Sequence, residues 1–225
     1  MAEDEGVRRQ EDYGLDRTLA LSDGVFAFAL TLLVLDLVVP VLSSGTTSMD
    51  LWKALSNEYI SFLNFVLSFA IAGVWWNAHH RNFQHVRNTN IPLRLLNIVF
   101  LVWIALIPFF TKLLTQYHTL QLSVAMYAFD QAAAGFSLSI LWYYASRNND
   151  LIERGMTAKA IRFSMIRNAV VPVFFVASIG LAFVDAGVAS FSWYLLFPIY
   201  LVINWFEQRK AKEIKKIKVP AVTSK

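Results

Sequence analysis

The sequence predicts an all-α integral membrane protein with six transmembrane helices, and three observations carry that prediction. Of the 225 residues, 56% are hydrophobic, 15% aromatic and only 16% charged, with a mean hydropathy of +0.47. Soluble domains run nearer a quarter charged. Apolar runs of about 20 residues, the length a helix needs to cross the hydrocarbon layer, recur along the chain. Lys and Arg fall almost entirely in alternate connections between those runs, as membrane topology demands. The same composition excludes a disordered chain, a collagen and a disulfide-stapled domain. With no Cys there is no disulfide, thiolate zinc site or Cys nucleophile.

The elements follow in chain order. Residues 1–16, MAEDEGVRRQEDYGLD, are polar and open acidic. They lack the basic start, short apolar core and small-residue cleavage site of a signal peptide. They are expected as a cytoplasmic N-terminal segment, with the first apolar run retained as a span. The six spans are expected at roughly 17–40, 59–80, 93–115, 119–144, 165–184 and 190–207, together one membrane domain over 17–207. The third carries Pro108, where a kink is expected. A short DAGVAS turn separates the fifth from the sixth, and 208–225 is a basic cytoplasmic tail.

Counting Lys and Arg puts eighteen on one side of the membrane and two, Lys53 and Lys112, on the other. Both termini are therefore expected in the cytoplasm, which independently requires an even number of spans. The net charge of +4 is a topology signal and implies no nucleic acid partner. Trp52, Tyr59, Tyr117, Trp193 and Tyr194 fall near the outer boundary, and Trp75, Trp76, Trp142 and Trp205 near the inner one. Rings with a polar handle prefer those interfaces.

Ionisable side chains inside hydrocarbon cost about 2.5–3.5 kcal/mol on insertion scales, so they need partners or water. Arg17, Ser22 and Asp23 begin the first span, His79 and His80 end the second, and Arg94 and Asn97 begin the third. All lie at the cytoplasmic depth, so a hydrogen-bonded cluster is expected, with Asp23 accepting from a His or Arg and Ser22 bridging. Adjacent helical residues point about 100° apart, so His79 and His80 suit separate hydrogen bonds better than one shared metal. Asp130 lies mid-span, with Asn64 and Ser68 as candidate partners and no assigned role.

Gly24, Phe28, Thr31 and Leu35 fall at i, i+4, i+7 and i+11, one stripe of a helix. Two readings fit the stripe. It is ordinary packing, with Thr31 bonding its own helix backbone, or it lines a pore, with apolar rings that gate and a hydroxyl ring that offers oxygens to a partly dehydrated cation. Asp36 follows one turn further out, and with other outer acids it would draw cations to the mouth.

Arg17-x-x-x-Leu21-Ser22-Asp23 at the start of the first span resembles the Arg-x-x-x-Phe-Ser-Asp signature of the transmembrane protein 175 family of cation channels. The second-span ending Trp75-Trp76-Asn77-Ala78-His79-His80-Arg81 is similar to that family's prokaryotic, single-repeat members. The resemblance implies a potassium-permeable homotetramer whose first helices line a central pore. It places the hydrophobic constriction on Phe28 with a further apolar ring on Leu35, and the selectivity threonine on Thr31. It also implies that Arg17, Ser22, Asp23, Trp76, His79 and His80 form the network that sets the pore helix's angle. Two residues depart from the pattern: Leu21 replaces the motif Phe, and Phe28 stands where an aliphatic side chain is usual.

The resulting expectation is a passive, potassium-preferring channel in a prokaryotic plasma membrane. Its partners are K+ and the lipid bilayer, with no cofactor, no metal beyond K+ in transit, and no enzymatic activity. The rival is a proton-permeable or secondary cation transporter that uses Asp130 and the histidines. Against a carrier of the common inverted-repeat type stand the missing inverted repeat and the absence of paired Gly/Pro-broken helices.

Overall fold

The computed structural model describes residues 2–148, 150–153 and 155–196, with side chains from residue 14 onward. The architecture is a helical bundle. Among the described residues it comprises α1 (Ala2–Leu33, continued by a 3-10 turn Val34–Asp36), α2 (Ser48–Asn57), α3 (Tyr59–Phe83), α4 (Ile91–Gln116), α5 (Gln121–Arg147), α6 (Ala158–Val184) and α7 (Ala186–Ser192), closed by a 3-10 turn Trp193–Leu195. Among the described residues, five stretches are long and apolar enough to cross a membrane: Gly14–Asp36, Tyr59–Phe83, Ile91–Gln116, Gln121–Arg147 and Ala158–Val184. They match the first five expected spans. The expected sixth, 190–207, starts in α7 and its closing turn and otherwise lies outside the described residues, as does the tail 208–225.

Local chemistry moves several boundaries. Residues 2–16 are helical and continuous with the first span. α6 starts at Ala158, seven residues before the expected 165, because the Thr157 side chain accepts from the Ala160 amide at 3.3 Å. Its first turns hold Lys159 and Arg162, which a hydropathy window discounts. α4 starts where the Asn90 side chain accepts from the Leu93 amide at 3.0 Å, and it continues through Pro108. α2 was not expected. Its start is a capping box: the Asp50 amide donates to Thr47 Oγ1 at 3.3 Å, and the Thr47 amide and hydroxyl donate to Asp50 Oδ2 at 3.0 and 2.6 Å. The Thr47 hydroxyl, then its amide, hold the Asp50 carboxyl below the ordinary carboxylate range.

The core has two parts. The larger runs through the middle of the bundle, from Phe26 and Leu33 of α1 through Trp75, Phe100 and Tyr127 to Phe175 and Trp193. The smaller lies at the end that carries the basic loops, where Phe83, Val86, Leu141, Trp142, Leu151 and Ile152 pack together. There the loops after α3 and α5 pair as a short antiparallel bridge, Val86 with Ile152, and the Arg87 amide donates to Leu151 O at 2.8 Å. Close helix contact at mid-bundle depends on Gly135: a Cβ there would come within 2.7 Å of both the Trp75 ring and Pro172. Small residues at such crossings let backbones approach, which matters in lipid, where packing rather than exclusion from water holds helices together.

α1 packs chiefly on α4 and α3, whereas α6 packs on α5 and α7. The first helix is thus fixed along one side only.

Candidate functional site

The side of α1 that meets α3 and α4 carries Thr18, Ser22, Phe26, Ala29 and Leu33, all buried. The spacing of three and four residues is that of one helix face. The other side carries Gly24, Phe28, Thr31 and Leu35, all exposed, with Phe28 at 67% and Leu35 at 71%. Phe26, two residues from Phe28, is 1% exposed. Among the described residues, the stripe read from sequence lies on the exposed side of α1. Thr31 Oγ1 donates to Phe28 O at 2.9 Å, a bond to the i−3 carbonyl rather than i−4. With its hydrogen spent on the backbone, the hydroxyl turns oxygen lone pairs to the open side.

Two polar links fix α1 at the basic end. The first is buried. Asn97 Nδ2 on α4 donates to Ser22 Oγ at 3.0 Å, and Ser22 Oγ donates to Thr18 O at 2.8 Å. Asn97 Oδ1 lies 2.9 Å from His79 Nε2 on α3. Because the amide nitrogen of Asn97 is committed as donor, its oxygen accepts and His79 carries its proton on Nε2. The His79 ring is sandwiched by Phe83 and Phe100 at centroid distances of 4.3 and 5.5 Å. The second link is on the open side. Trp76 Nε1 donates to Asp23 Oδ1 at 3.0 Å, and the Trp76 ring stacks on His80 at 5.6 Å with an interplanar angle of 11°. His80 Nε2 meets Gln84 Nε2 at 3.0 Å.

The structure brings Ser22, Asp23, Trp76, His79 and His80 to one end of the bundle. Asp23 accepts from Trp76, and the two histidines serve separate links. Ser22 does bridge. Arg17 lies on the exposed side of the same turns of α1. Sequence reasoning placed Asn97 in the cluster without singling it out, yet it joins three helices. The available signal was an amide buried in an otherwise apolar run, LLNIVFLVWIAL. Among the described residues no group of three or more His, Cys, Asp or Glu side chains is placed to hold a metal ion.

Two other polar residues sit apart from this cluster. Asp36 is turned toward α4, where Lys112 Nζ lies 3.7 Å from its Oδ1, and its side chain is 16% exposed. Its charge is thus offset within the protomer. Asp130 is buried and accepts from Gln131 Nε2 at 3.0 Å, and Gln131 Oε1 accepts from Trp75 Nε1 at 2.8 Å. The partners expected for it are engaged elsewhere: Asn64 donates to Thr115, and Ser68 bonds with Tyr127 and Thr111.

Comparison with known proteins bears on this arrangement. Residues 17–108, which hold both polar links and the whole exposed stripe, match the family described as endosomal/lysosomal potassium channel TMEM175. The chain is 33% identical over 174 residues to a potassium channel of Streptomyces collinus, covering 76% of this chain and 83% of that protein. A shorter match, 37% identical over 103 residues, is to the endosomal/lysosomal proton channel TMEM175 of Homo sapiens, covering 44% of this chain and 20% of that protein. The fold superposes on the crystal structure of a lysosomal potassium-selective channel TMEM175 homologue from Chamaesiphon minutus with a TM-score of 0.72 and 26% identity, covering 85% of this chain and 98% of that one. With most of its length aligned to a bacterial relative and its Arg17 to Asp23 signature inside the matched region, the chain belongs to the TMEM175 family.

Proposed function

We propose that four copies of this chain assemble around α1 into a passive, potassium-preferring cation channel of a prokaryotic plasma membrane. The observation that carries the reading is the asymmetry of α1: Phe28, Thr31 and Leu35 are exposed along a helix whose opposite face is fully packed. Four such stripes facing one axis would form a channel wall with a phenyl constriction at Phe28, a hydroxyl ring at Thr31 and an apolar ring at Leu35. The bonds of Ser22 to Asn97 and of Trp76 to Asp23 would set the helix angle that brings the stripes together, with Arg17, His79 and His80 beside them. In this reading the bias of Lys and Arg toward alternate loops puts both termini in the cytoplasm, with the sixth span expected at 190–207.

Conduction in this reading needs no carbonyl-lined filter loop. Potassium sheds hydration water more cheaply than sodium at a weakly polar constriction, so preference arises where the apolar ring strips the shell and the Thr31 lone pairs partly replace it. Selectivity of this kind is modest rather than stringent. Cations leaving the pore gain little from Asp36, because Lys112 already neutralises it.

The test is the reversal potential of purified protein in liposomes under opposed potassium and sodium gradients. A reversal displaced toward the potassium equilibrium potential, reduced by Thr31→Val, is expected. A reversal unaffected by potassium and sodium that follows an imposed proton gradient would support the proton-permeable reading, which the human relative's name favours.

A further inference from the structure

The segment between α1 and α3 plays no part in that reading. It leaves the first span at Asp36, exposes Val38, Val39 and Val41, and forms α2 before Tyr59 opens the next span. α2 is ten residues long, far short of the roughly 20 needed to cross a bilayer. It is nevertheless built as a definite helix, closed at its start by the Thr47–Asp50 box.

Its surface divides into three arcs. Ala54 and Leu55 are half-buried against the protomer. Lys53 and Asn57, one turn apart, make an exposed polar arc with Asp50 beside them. Met49, Trp52 and Ser56, at i, i+3 and i+7, make a third arc in which Met49 is 61% and Trp52 66% exposed. A helix with one polar and one apolar exposed arc and a Trp on the apolar side has the design of a segment that lies in a membrane surface.

Connectivity says what covers the apolar arc. Only Glu58 separates α2 from Tyr59, the first residue of a membrane-spanning helix, so α2 is held at the level where the chain meets the bilayer. The exposed side chains Tyr59, Phe62, Val66 and Phe69 of α3 continue the apolar surface away from that junction at helical spacing. We propose that α2 is an interfacial helix, with its Met49–Trp52–Ser56 arc seated at the boundary between headgroups and acyl chains of the leaflet opposite the basic loops. There it anchors the outer end of α1 to lipid. Asp50 and Lys53 cancel in charge, so the seat is apolar and needs no anionic lipid. The reading uses the topology above only to name the leaflet, and it does not depend on conduction.

Because the chain has no Cys, single cysteines can report each arc. Spin labels are placed at Met49→Cys, Trp52→Cys and Ser56→Cys, and at Lys53→Cys and Asn57→Cys, in full-length protein in phosphatidylcholine vesicles. Accessibility to oxygen, which concentrates in the acyl region, is compared with accessibility to a water-soluble nickel chelate. Labels at 49, 52 and 56 are expected to favour oxygen several-fold over those at 53 and 57, which favour nickel, and adding anionic lipid should leave the pattern unchanged. Ser56→Cys keeps Met49 and Trp52 in place, so a perturbed helix cannot account for its result. Equal nickel access at all five sites would put α2 in water and overturn the proposal. Labels at 49, 52 and 56 shielded from both reagents and immobilised would mean that a second copy of the chain covers the arc, and would equally overturn it. Neither readout measures ion flux, so the channel reading stands or falls separately.

Discussion

The two faces of α1 share one helix and nearly the same apolarity, yet the protein treats them oppositely. One face, from Thr18 to Leu33, is packed against α3 and α4 and hydrogen-bonded to α4 through Ser22; the other, from Gly24 to Leu35, is exposed. Composition does not separate them, since Phe26 and Phe28 are the same residue two positions apart. What separates them is rotation about the helix axis, and at the basic end that rotation is held where the adjacent Ser22 and Asp23, about 100° apart around the helix, bond to Asn97 and Trp76. Polar bonds at one end thus decide which apolar stripe is left for other work along the rest.

The sharpest break of the comparison is the pair Phe26→Ala and Phe28→Ala. The first leaves a cavity in the core and should cost about 2 kcal/mol or more, less than the full range for soluble cores because lipid-solvated helices gain little from apolar transfer. The second should change thermal stability in detergent by less than about 0.5 kcal/mol while raising leak current in liposomes. Equal stability losses, or an unaffected current in Phe28→Ala, would dissolve the distinction. Next is Asn97→Ala. It strips the acceptor from His79 and the donor from Ser22, and should cost about 1–2 kcal/mol. Because α1 is then free to turn, potassium selectivity should fall along with stability. Trp76→Phe removes only the half-exposed bond to Asp23 and should cost about 0.5–1 kcal/mol, again with altered conduction. The smallest effect belongs to Lys112→Gln, which breaks an ion pair whose Lys112 member is largely exposed. It should cost about 0–1 kcal/mol and fade with salt, but it frees Asp36, so inward cation current at low ionic strength should rise.

The fold was legible because lipid imposes a coarse demand: a long apolar run cannot be hidden, and the basic residues mark its ends. Five spans, the exposed stripe and the common depth of Ser22, Asp23, His79 and His80 were all readable from spacing. Partners were not. That Asp23 meets Trp76 depends on how α3 is rotated against α1, which a run such as WWNAHH does not encode. Asp130 shows the same limit, since its bond is to the adjacent Gln131 rather than to residues at matching depth on α3. α2 escaped a hydropathy reading because it is short and half polar, although the TSMD box at its start spelled out the cap.

The central claim is that the open face of α1 borders water and ions. In the Cys-free chain, Thr31→Cys and Phe26→Cys can be exposed to a small thiol-reactive cation such as silver during recording in planar bilayers. Rapid, irreversible loss of potassium current in Thr31→Cys, with Phe26→Cys and the unmodified chain unaffected, is the predicted result. Current that persists in Thr31→Cys, or is lost equally in Phe26→Cys, would contradict it.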